Sequence, residues 1–444
     1  MIDLSSFTDT IVLCVGDVIL DRFVSGDVKR ISPESPVPVL LATGEQTLPG
    51  GAANVGRNVV SLGGKCILVG VIGDDAAGRE LTNILAEGDG IDPDMVTVSA
   101  RPTAEKTRFV SQGQHLLRLD REKTHSLSVE AEDAVIGAAA RHIAGCHALV
   151  LSDYAKGALT DRVIIETIAL AKNIGVPVVV DPKSPNLSRY DGATVVTPNM
   201  SETVAAVGLS PVTDALAEEA GRIALRDAAL DSILITRAEH GMTLVPRDEG
   251  ATHLKACARE VFDVVGAGDT VVATLALALG SRRPLEESAR LANVAAGLVV
   301  GKRGTATVSR SELLDELGRI SLHQEDWGTA GNNFIGAAPG HPVIEEALKN
   351  AIVSINRGDS DVVWLATGPG LLSRTLARYL AEGSAERFQR TLFLDLHELR
   401  RAVALHSTVA YKYSPRHWSR SVFHRRQTEA TAQIAEIAAR VSEK

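Results

Sequence analysis

Short runs of β-branched and aliphatic residues that stop at a polar residue or glycine recur from Ile11 to Ile235 of this chain. Ile11 to Val15 runs into Gly16-Asp17, Ala148 to Leu151 into Ser152-Asp153, and Val176 to Val180 into Asp181-Pro182-Lys183. Thr194 to Val196 likewise runs into Thr197-Pro198-Asn199, and Ile233 to Ile235 into Thr236-Arg237. Segments with helical spacing intervene, Asp161 to Asn173 and Leu216 to Ala228. Unbroken apolar runs mark strands buried on both faces. Their alternation with helices predicts βαβ units around a parallel sheet, so the expected fold class is α/β and doubly wound. Ligands of such sheets bind beyond the carboxyl ends of the strands, which is the edge where the reactive side chains collect.

The pattern changes between Phe23 and Leu48, where Pro33, Pro36 and Pro38 forbid a helix and leave short extended pieces. A second extended stretch, Lys106 to Asp120, alternates loosely. The two predict a small separate sheet, residues 23–48 and 106–120, projecting as a lid over the ligand site. Exposed strands of that kind pair readily with a second copy, so a homodimer is expected. The apolar helix pattern Val271 to Leu279 follows later, and a last helix is expected over Glu312 to Ile320. A polar join beginning at His323 then divides an expected domain 1–322 from a segment 323–444 of different character.

A hydrophobic fraction of 45% with 23% charged residues is globular composition, and 444 residues exceed one ordinary domain. Aromatics at 4% suit helices on a parallel sheet better than an aromatic-rich sandwich. The net charge of −9 leaves no basic field for a polyanion, which argues against nucleic acid as a partner; a small phosphorylated ligand needs only local cations. The four cysteines have no metal-ligand spacing, and reduced thiols in a cytosolic protein are the simplest reading. The first residues lack the basic and apolar regions of a signal peptide, and Val271 to Leu279 is too short to span a bilayer. A cytoplasmic protein without a membrane span is expected.

The strongest chemical signal is Phe262-Asp-Val-Val-Gly-Ala-Gly-Asp-Thr270, a turn through two glycines into the apolar helix. Glycines let a ligand approach the backbone, and the exposed N–H groups and dipole at a helix start favour phosphate or a developing oxyanion. Asp269 then stands where a carboxylate takes a hydroxyl proton, as phosphoryl transfer to an alcohol requires. The same letters also describe an aspartate capping a helix after a tight turn. A second signal, Leu48-Pro-Gly-Gly-Ala-Ala-Asn-Val-Gly56, reads equally as a plain turn before a helix or as a polyol site built on Asn54.

In combination these stretches resemble the two signatures of the ribokinase-like (pfkB) carbohydrate kinases. Gly50-Gly51 with Asn54, then Gly73-Asp74-Asp75-Ala-Ala-Gly78, then Asp263-Val-Val-Gly-Ala-Gly-Asp269 stand in the family's order, with Val264 where threonine is commonest. A finer resemblance is to bacterial heptose 7-phosphate kinases. It rests on Val15-Gly-Asp-Val-Ile-Leu-Asp-Arg22, Arg30-Ile-Ser-Pro-Glu-Ser-Pro-Val-Pro-Val39, Leu149-Val-Leu-Ser-Asp-Tyr-Ala-Lys-Gly-Ala158, Thr197-Pro-Asn199 with Glu202, and Gly301 to Ser309. The likeness covers roughly residues 8 to 320. It implies an ATP-dependent kinase that phosphorylates the anomeric hydroxyl of D-glycero-D-manno-heptose 7-phosphate, on the way to ADP-heptose and lipopolysaccharide.

The resemblance also implies roles. Asp269 is the base, and Gly266, Ala267 and Gly268 form the anion hole. Asp17, Asp21, Gly50, Gly51 and Asn54 hold sugar hydroxyls. Asn199 and Glu202 organise Mg²⁺ through water, Lys183 either reaches a phosphate or is a surface lysine, Thr236 and Gly241 line the nucleotide, and Asn293 touches adenine. Asp263 is a candidate for a monovalent cation such as K⁺. For the sugar's own phosphate the candidates are Arg30, Arg108, Arg118 and Lys156, because guanidinium forks match phosphate oxygens; each alone also reads as a solvated charge. The rival readings are a kinase of ribose, fructose or a hexose phosphate, and a glycosyltransferase-associated protein whose kinase domain is regulatory.

Two-function relatives of these kinases continue into a nucleotidyltransferase, whose marks are absent after residue 322, so that second activity is not expected. Asn332 to Pro342 and Thr367 to Thr375 instead resemble the latter half of glycosyltransferases that carry a D-x-D motif. Asp359-Ser-Asp361 has those letters but follows the acceptor-side stretch and reads as a polar loop. The basic stretch Lys412 to Arg426 reads as a solvated face.

Overall fold

A computed structural model describes residues 4–87, 90–257, 261–302, 304–317, 320–324, 330–337, 342–357, 375 and 391–394. The chain divides into two compact units, Met1–Arg319 and Ile320–Lys444. The first unit begins β1 (Ile11–Gly16), β2 (Val18–Ile31), β3 (Pro38–Gly51), α1 (Ala52–Ser61), β4 (Lys65–Ile72), α2 (Ala76–Glu87) and β5 (Ile91–Thr97). It continues β6 (Ala104–Ser111), β7 (Gln114–Arg121), α3 (Val129–Ile143), β8 (Ala148–Ser152), α4 (Asp161–Asn173), β9 (Val178–Asp181) and β10 (Val195–Val196). Then come α5 (Met200–Val207), α6 (Asp214–Asp227), β11 (Ser232–Thr236), β12 (Met242–Pro246), β13 (Thr252–Leu254), α7 (Ala267–Gly280), α8 (Leu285–Val299) and α9 (Arg310–Leu317).

Nine strands form the main sheet in the order β13-β12-β11-β10-β9-β8-β1-β4-β5. From β11 to β5 every pairing is parallel; β12 alone is reversed, so only its pairings with β11 and β13 are antiparallel. The apolar runs are buried on both faces as their pattern requires; all five residues of β8 are buried. Helix starts follow the local chemistry. Thr160 caps α4 by accepting from the Val163 amide at 3.3 Å, and Thr213 draws the start of α6 forward to Asp214 by accepting from the Leu216 amide at 3.2 Å.

β4 and β5 lie to one side of β1, while β8 and its successors lie to the other. The strand order therefore reverses between β1 and β8, and that switch point is where a doubly wound sheet opens a crevice. α7 packs against β1, β8 and β9 and against α1 and α8. Enclosed on all sides, it is buried from Asp269 through Ala278, which explains a helix that is apolar all round.

The lid is a four-stranded sheet in the order β3-β2-β6-β7. It begins earlier than the prolines suggest, since β2 and β3 are paired from Val18↔Gly51 out to Ile31↔Pro38. Pro33 and Pro36 occupy the turn, and Pro38 opens β3, where a missing amide costs least. Arg22 anchors the lid through ion pairs with Glu45, with Glu80 of α2 at 2.8 Å and with Glu105 at 2.9 Å.

The second unit contains β14 (Ile320–Gln324), β15 (Ala330–Ala337), α10 (Pro342–Arg357) and β16 (Thr391–Leu394), with strand order β15-β14-β16. The expected last helix of the kinase region ends at Leu317, and Ile320 already belongs to β14. The expected boundary at residue 322 thus falls inside a strand. Asp359-Ser-Asp361, residues 367–374 and the basic stretch 412–426 lie outside the described residues.

Candidate active site

Gly266 takes the left-handed conformation, with φ of 81°, and hands the chain into α7. Asp269 follows in the first turn, only 6% exposed. A capping carboxylate would accept amides of its own helix, but this one does not. Its Oδ2 accepts from Asn54 Nδ2 at 2.6 Å and its Oδ1 from the Tyr154 hydroxyl at 2.7 Å. Burial pushes the Asp269 carboxyl up to about 6; the bonds from Asn54 and Tyr154 pull it down, and the nearby Asp21 charge pushes it up. A carboxylate of that strength is still ionised at neutral pH and is a better proton acceptor than an exposed one.

Asn54 lies on α1 and is 1% exposed. Its amide must face Asp269, which fixes the side-chain orientation. Asn54 Oδ1 is then buried with no partner in the structure, an acceptor aimed at nothing the protein supplies. One turn on, Asn58 accepts from the Thr270 hydroxyl at 2.8 Å and donates to the Asn54 carbonyl at 2.9 Å, zipping α1 to α7. Gly51, with φ of 62°, is the residue before α1, and a Cβ there would run into the Asp17 carbonyl; at Gly50 it would meet the Asp21 carboxylate. The paired glycines bring the end of β3 against Asp17, just before β2, and Asp21, within it.

The Asp17 carboxylate holds three backbone amides. Its Oδ2 accepts the Tyr154 and Lys156 amides, both at 2.9 Å, and its Oδ1 accepts the Ala158 amide at 2.9 Å. Burial raises its carboxyl against the lowering effect of those three donors. Asp21, also buried, pairs with Arg108, whose guanidinium lies 5.1 Å from the Phe23 ring centroid.

The four cationic candidates do not share one place. Arg108 stands beside Asp21, and Lys156 pairs with Glu122 at 2.7 Å. Arg118, opposite Arg108 in the β6–β7 register, bonds Asp120 at 2.9 Å and is exposed. Arg30, nine positions beyond Asp21, is exposed near the far end of β2, about 30 Å along the strand at ~3.3 Å per residue. Lys106 was not singled out by sequence. It is half-buried, and burial together with the Lys156 and Arg118 charges holds its ammonium low, against Asp120 and Glu122. Its alternating position within a lid strand gave no signal of that crowding.

On the other side of Asp269, β9, β10 and β11 end at Asp181, Val196 and Thr236. Asn199 and Glu202 form a reciprocal capping box on α5: Asn199 Oδ1 accepts the Glu202 amide at 2.9 Å and Glu202 Oε2 accepts the Asn199 amide at 3.0 Å. Lys183 Nζ bonds Glu202 Oε1 at 2.9 Å, and the Thr236 amide donates to the Pro198 carbonyl at 3.0 Å. Gly241 follows a short turn after β11, and its carbonyl accepts the Arg237 amide at 2.8 Å. Asn293 ties α8 to the chain after β13 through the Lys255 carbonyl at 2.8 Å. Asp181 was passed over as part of a strand ending. Burial, with Asp269 and Glu202 next in importance, raises it well above the ordinary aspartate range, with Lys183 opposing.

In the glycine turn, the Ala267 amide reaches the Val264 carbonyl at 3.3 Å. Asp263 accepts the Val265 amide at 3.0 Å and the Gly304 amide at 3.2 Å, so both its oxygens already hold backbone donors. Among the described residues no three His, Cys, Asp or Glu side chains converge as a metal cage. The oxygens of Asn199 and Glu202 suit an ion carried mainly by phosphate and water, as Mg²⁺ prefers, while the Lys183 ammonium suits phosphate oxygens.

A buried carboxylate beside an amide-lined helix start, at the switch point of a doubly wound sheet, defines a group-transfer site for hydroxylated ligands. The chain belongs to the pfkB family of carbohydrate kinases, whose family model matches residues 9–312. It is 49% identical over 315 residues to the bifunctional protein HldE of Gluconacetobacter diazotrophicus, covering 71% of this chain and 64% of that protein. The HldE of Rhodospirillum rubrum is 44% identical over 341 residues, covering 77% and 68%. That of Hyphomonas neptunium is 46% identical over 374 residues, covering 79% and 77%. The chain thus matches under two thirds of the first of these relatives. Among solved structures, Arabidopsis thaliana ribokinase complexed with ribose and ATP superposes with a TM-score of 0.55 at 22% identity, covering 69% of this chain and 97% of that one. Escherichia coli phosphofructokinase-2 in complex with potassium gives 0.57 at 20% identity, with the same coverage. At those identities the structures establish the fold. None of the described helices is long and apolar enough to cross a membrane.

Proposed function

We propose that this chain transfers the γ-phosphoryl group of ATP to the anomeric hydroxyl of D-glycero-D-manno-heptose 7-phosphate, giving the 1,7-bisphosphate and ADP on the route to ADP-heptose for lipopolysaccharide. The observation that carries the reading is Asp269, buried, raised to about 6 and held by Asn54 and Tyr154 instead of capping its helix. Asp269 takes the proton as the anomeric oxygen bonds to phosphorus and the bond to the ADP oxygen breaks. Gly266 and Gly268 turn amides and the helix start towards the transferring group, and the Ala267 amide joins them on leaving the Val264 carbonyl. Asn54 Oδ1 accepts a sugar hydroxyl, which would satisfy its buried lone pairs, and Asp21 with the bare backbone of Gly50 and Gly51 completes that wall. Arg108, Lys156 and Lys106 meet the sugar's own phosphate.

Lys183, Thr236, Gly241 and Asn293 line the nucleotide side. Mg²⁺ bound with ATP would supply charge neutralisation there, and Asn199 and Glu202 are the residues that would hold it through water. Asp263 is the candidate neighbour of a monovalent cation. A second copy of the chain is the proposed occupant of the lid's outer apolar residues, since Ile31, Leu41 and Leu117 are at least 60% exposed. The reaction is proposed to run in the cytoplasm, where ATP is at hand, and residues 323–444 are proposed as an appended module without a catalytic part in it. The test is phosphate transfer from ATP across a panel of heptose 7-phosphate, fructose 6-phosphate, ribose and fructose. Preference for heptose 7-phosphate is expected; preference for an unphosphorylated sugar would overturn the assignment.

A further inference from the structure

Tyr154 is the one donor to Asp269 that the sequence motifs did not single out, and its position is unusually well determined. The loop that carries it runs from Asp153 to Ala158, directly after β8, at the switch point between β1 and β8. It contains Ala155 at φ of 53° and Gly157 at φ of 91°, a path that a free loop would not keep at its alanine. Asp17 holds that path by accepting three of its amides, those of Tyr154, Lys156 and Ala158. Asp153 closes the loop from within, accepting the Ala155 amide at 2.8 Å and the Tyr190 hydroxyl at 2.6 Å. The outcome of this pinning is a phenol whose oxygen lies 2.7 Å from Asp269 Oδ1, while Asn54 holds Oδ2 from the other side.

We propose that Tyr154 is a positioning residue for the Asp269 carboxylate, and that Asp17 acts on the reaction through it, by pinning the 153–158 loop, in place of touching sugar. The inference rests on the reading of Asp269 as the base. Two donors on opposite oxygens fix the rotation of the carboxylate, so that the remaining lone pair of Oδ1 points into the crevice where a hydroxyl proton arrives. A carboxylate left with the Asn54 bond alone would rotate about it and lose that aim.

The phenol also sets how readily the carboxylate ionises. Tyr154 lowers the Asp269 carboxyl by hydrogen bonding, and its own hydroxyl is pushed well above the ordinary tyrosine range by burial and by the Asp269 and Asp181 charges, so it stays a donor throughout the working range. The other ionisable groups facing Asp269 are Asp21 from β2, Asp181 from β9 and the Cys14 thiol from β1. Asp21 is neutralised by Arg108 and Asp181 is partly offset by Lys183. Removing the phenol therefore raises the Asp269 carboxyl. A base works only when ionised, so the acid side of the rate profile moves to higher pH.

The test uses the full chain and three variants, Tyr154→Phe, Asp17→Asn and Asp269→Asn, each first shown to be folded by its thermal melt. kcat/KM for the sugar phosphate is measured from pH 5 to 9. Tyr154→Phe keeps the ring, and its acid limb is expected to move up by about half to one pH unit, with kcat near pH 6.5 down about tenfold or more and KM for ATP unchanged. Asp17→Asn, which loses one of its three amide partners, is expected to shift the limb the same way by less, with KM for the sugar little changed. If Tyr154→Phe keeps the wild-type limb and kcat while Asp269→Asn loses its turnover, the positioning role is wrong and the base survives. If Asp17→Asn raises KM for the sugar and leaves the limb in place, Asp17 is a sugar ligand after all. If Asp269→Asn keeps its turnover, the base reading itself has failed.

Discussion

Replacing Asp269 by asparagine should make the folded kinase unit more stable at neutral pH. The carboxyl is raised from an ordinary 3.8 to about 6, so ionising it costs the folded state about 3 kcal/mol at ~1.4 kcal/mol per pH unit. The sign follows from the unfolded chain ionising first: wild-type stability falls as pH climbs from about 4 to about 6 and stays reduced above that. An amide carries no such cost. It does place an N–H against Asn54 or Tyr154, which returns about 1–2 kcal/mol for a lost or mismatched hydrogen bond. The net gain is about 1–2 kcal/mol above pH 6.5, roughly 2–3 °C in Tm for a unit of this size, and it turns into a loss of about 1–2 kcal/mol near pH 4, where only the hydrogen-bond cost remains. Thermal and urea melts of both proteins at pH 4.5 and 7.5 read it directly. A variant that is less stable than wild type at pH 7.5 would mean that the carboxylate holds the structure together, and the reasoning that makes it a strained base would be wrong.

Two further outcomes follow from the same geometry. Arg108→Gln should raise KM for the phosphorylated sugar about tenfold or more with KM for ATP unchanged, because a charge-assisted contact to phosphate is lost; initial-rate kinetics with both substrates varied checks this, and equal effects on both substrates would contradict it. Gly241→Ala should destabilise the unit by about 3 kcal/mol or more, since φ of 82° with ψ of −133° suits glycine alone and a Cβ would strike the Leu254 carbonyl; a melt within a degree of wild type would refute it.

Much of the fold was legible in the chain because burial on both faces leaves an unambiguous imprint. β8 and α4 stand where their patterns predict, and α7 is recognisable from an apolar run that only an enclosed helix tolerates. β5 left no such imprint: Ile91-Asp-Pro-Asp reads as a turn, and it forms a strand because it is the sheet's edge, where Pro93 withholds no needed amide. The glycine turn and Asp269 were legible because they are contiguous. What the chain could not display is which residues meet across it. Tyr154 and Asp269 are 115 positions apart, and Asp17 lies 137 before the amide of Tyr154 that it accepts. A carboxylate that holds a loop and one that holds a sugar are the same letter. The three amides converging on Asp17 show that it holds a loop, which no letter of the chain displays. Lys106 and Asp181 were missed for the same reason, since crowding by like charge is a property of neighbours in space.

The central claim is that Asp269 removes a sugar hydroxyl's proton during phosphoryl transfer. Turnover of the full chain with ATP and D-glycero-D-manno-heptose 7-phosphate, compared with Asp269→Asn under saturating substrates and with ATP affinity measured calorimetrically, tests it most directly. A fall in kcat of about two to four powers of ten with ATP affinity preserved is the predicted result. Near-normal kcat in the variant would contradict it.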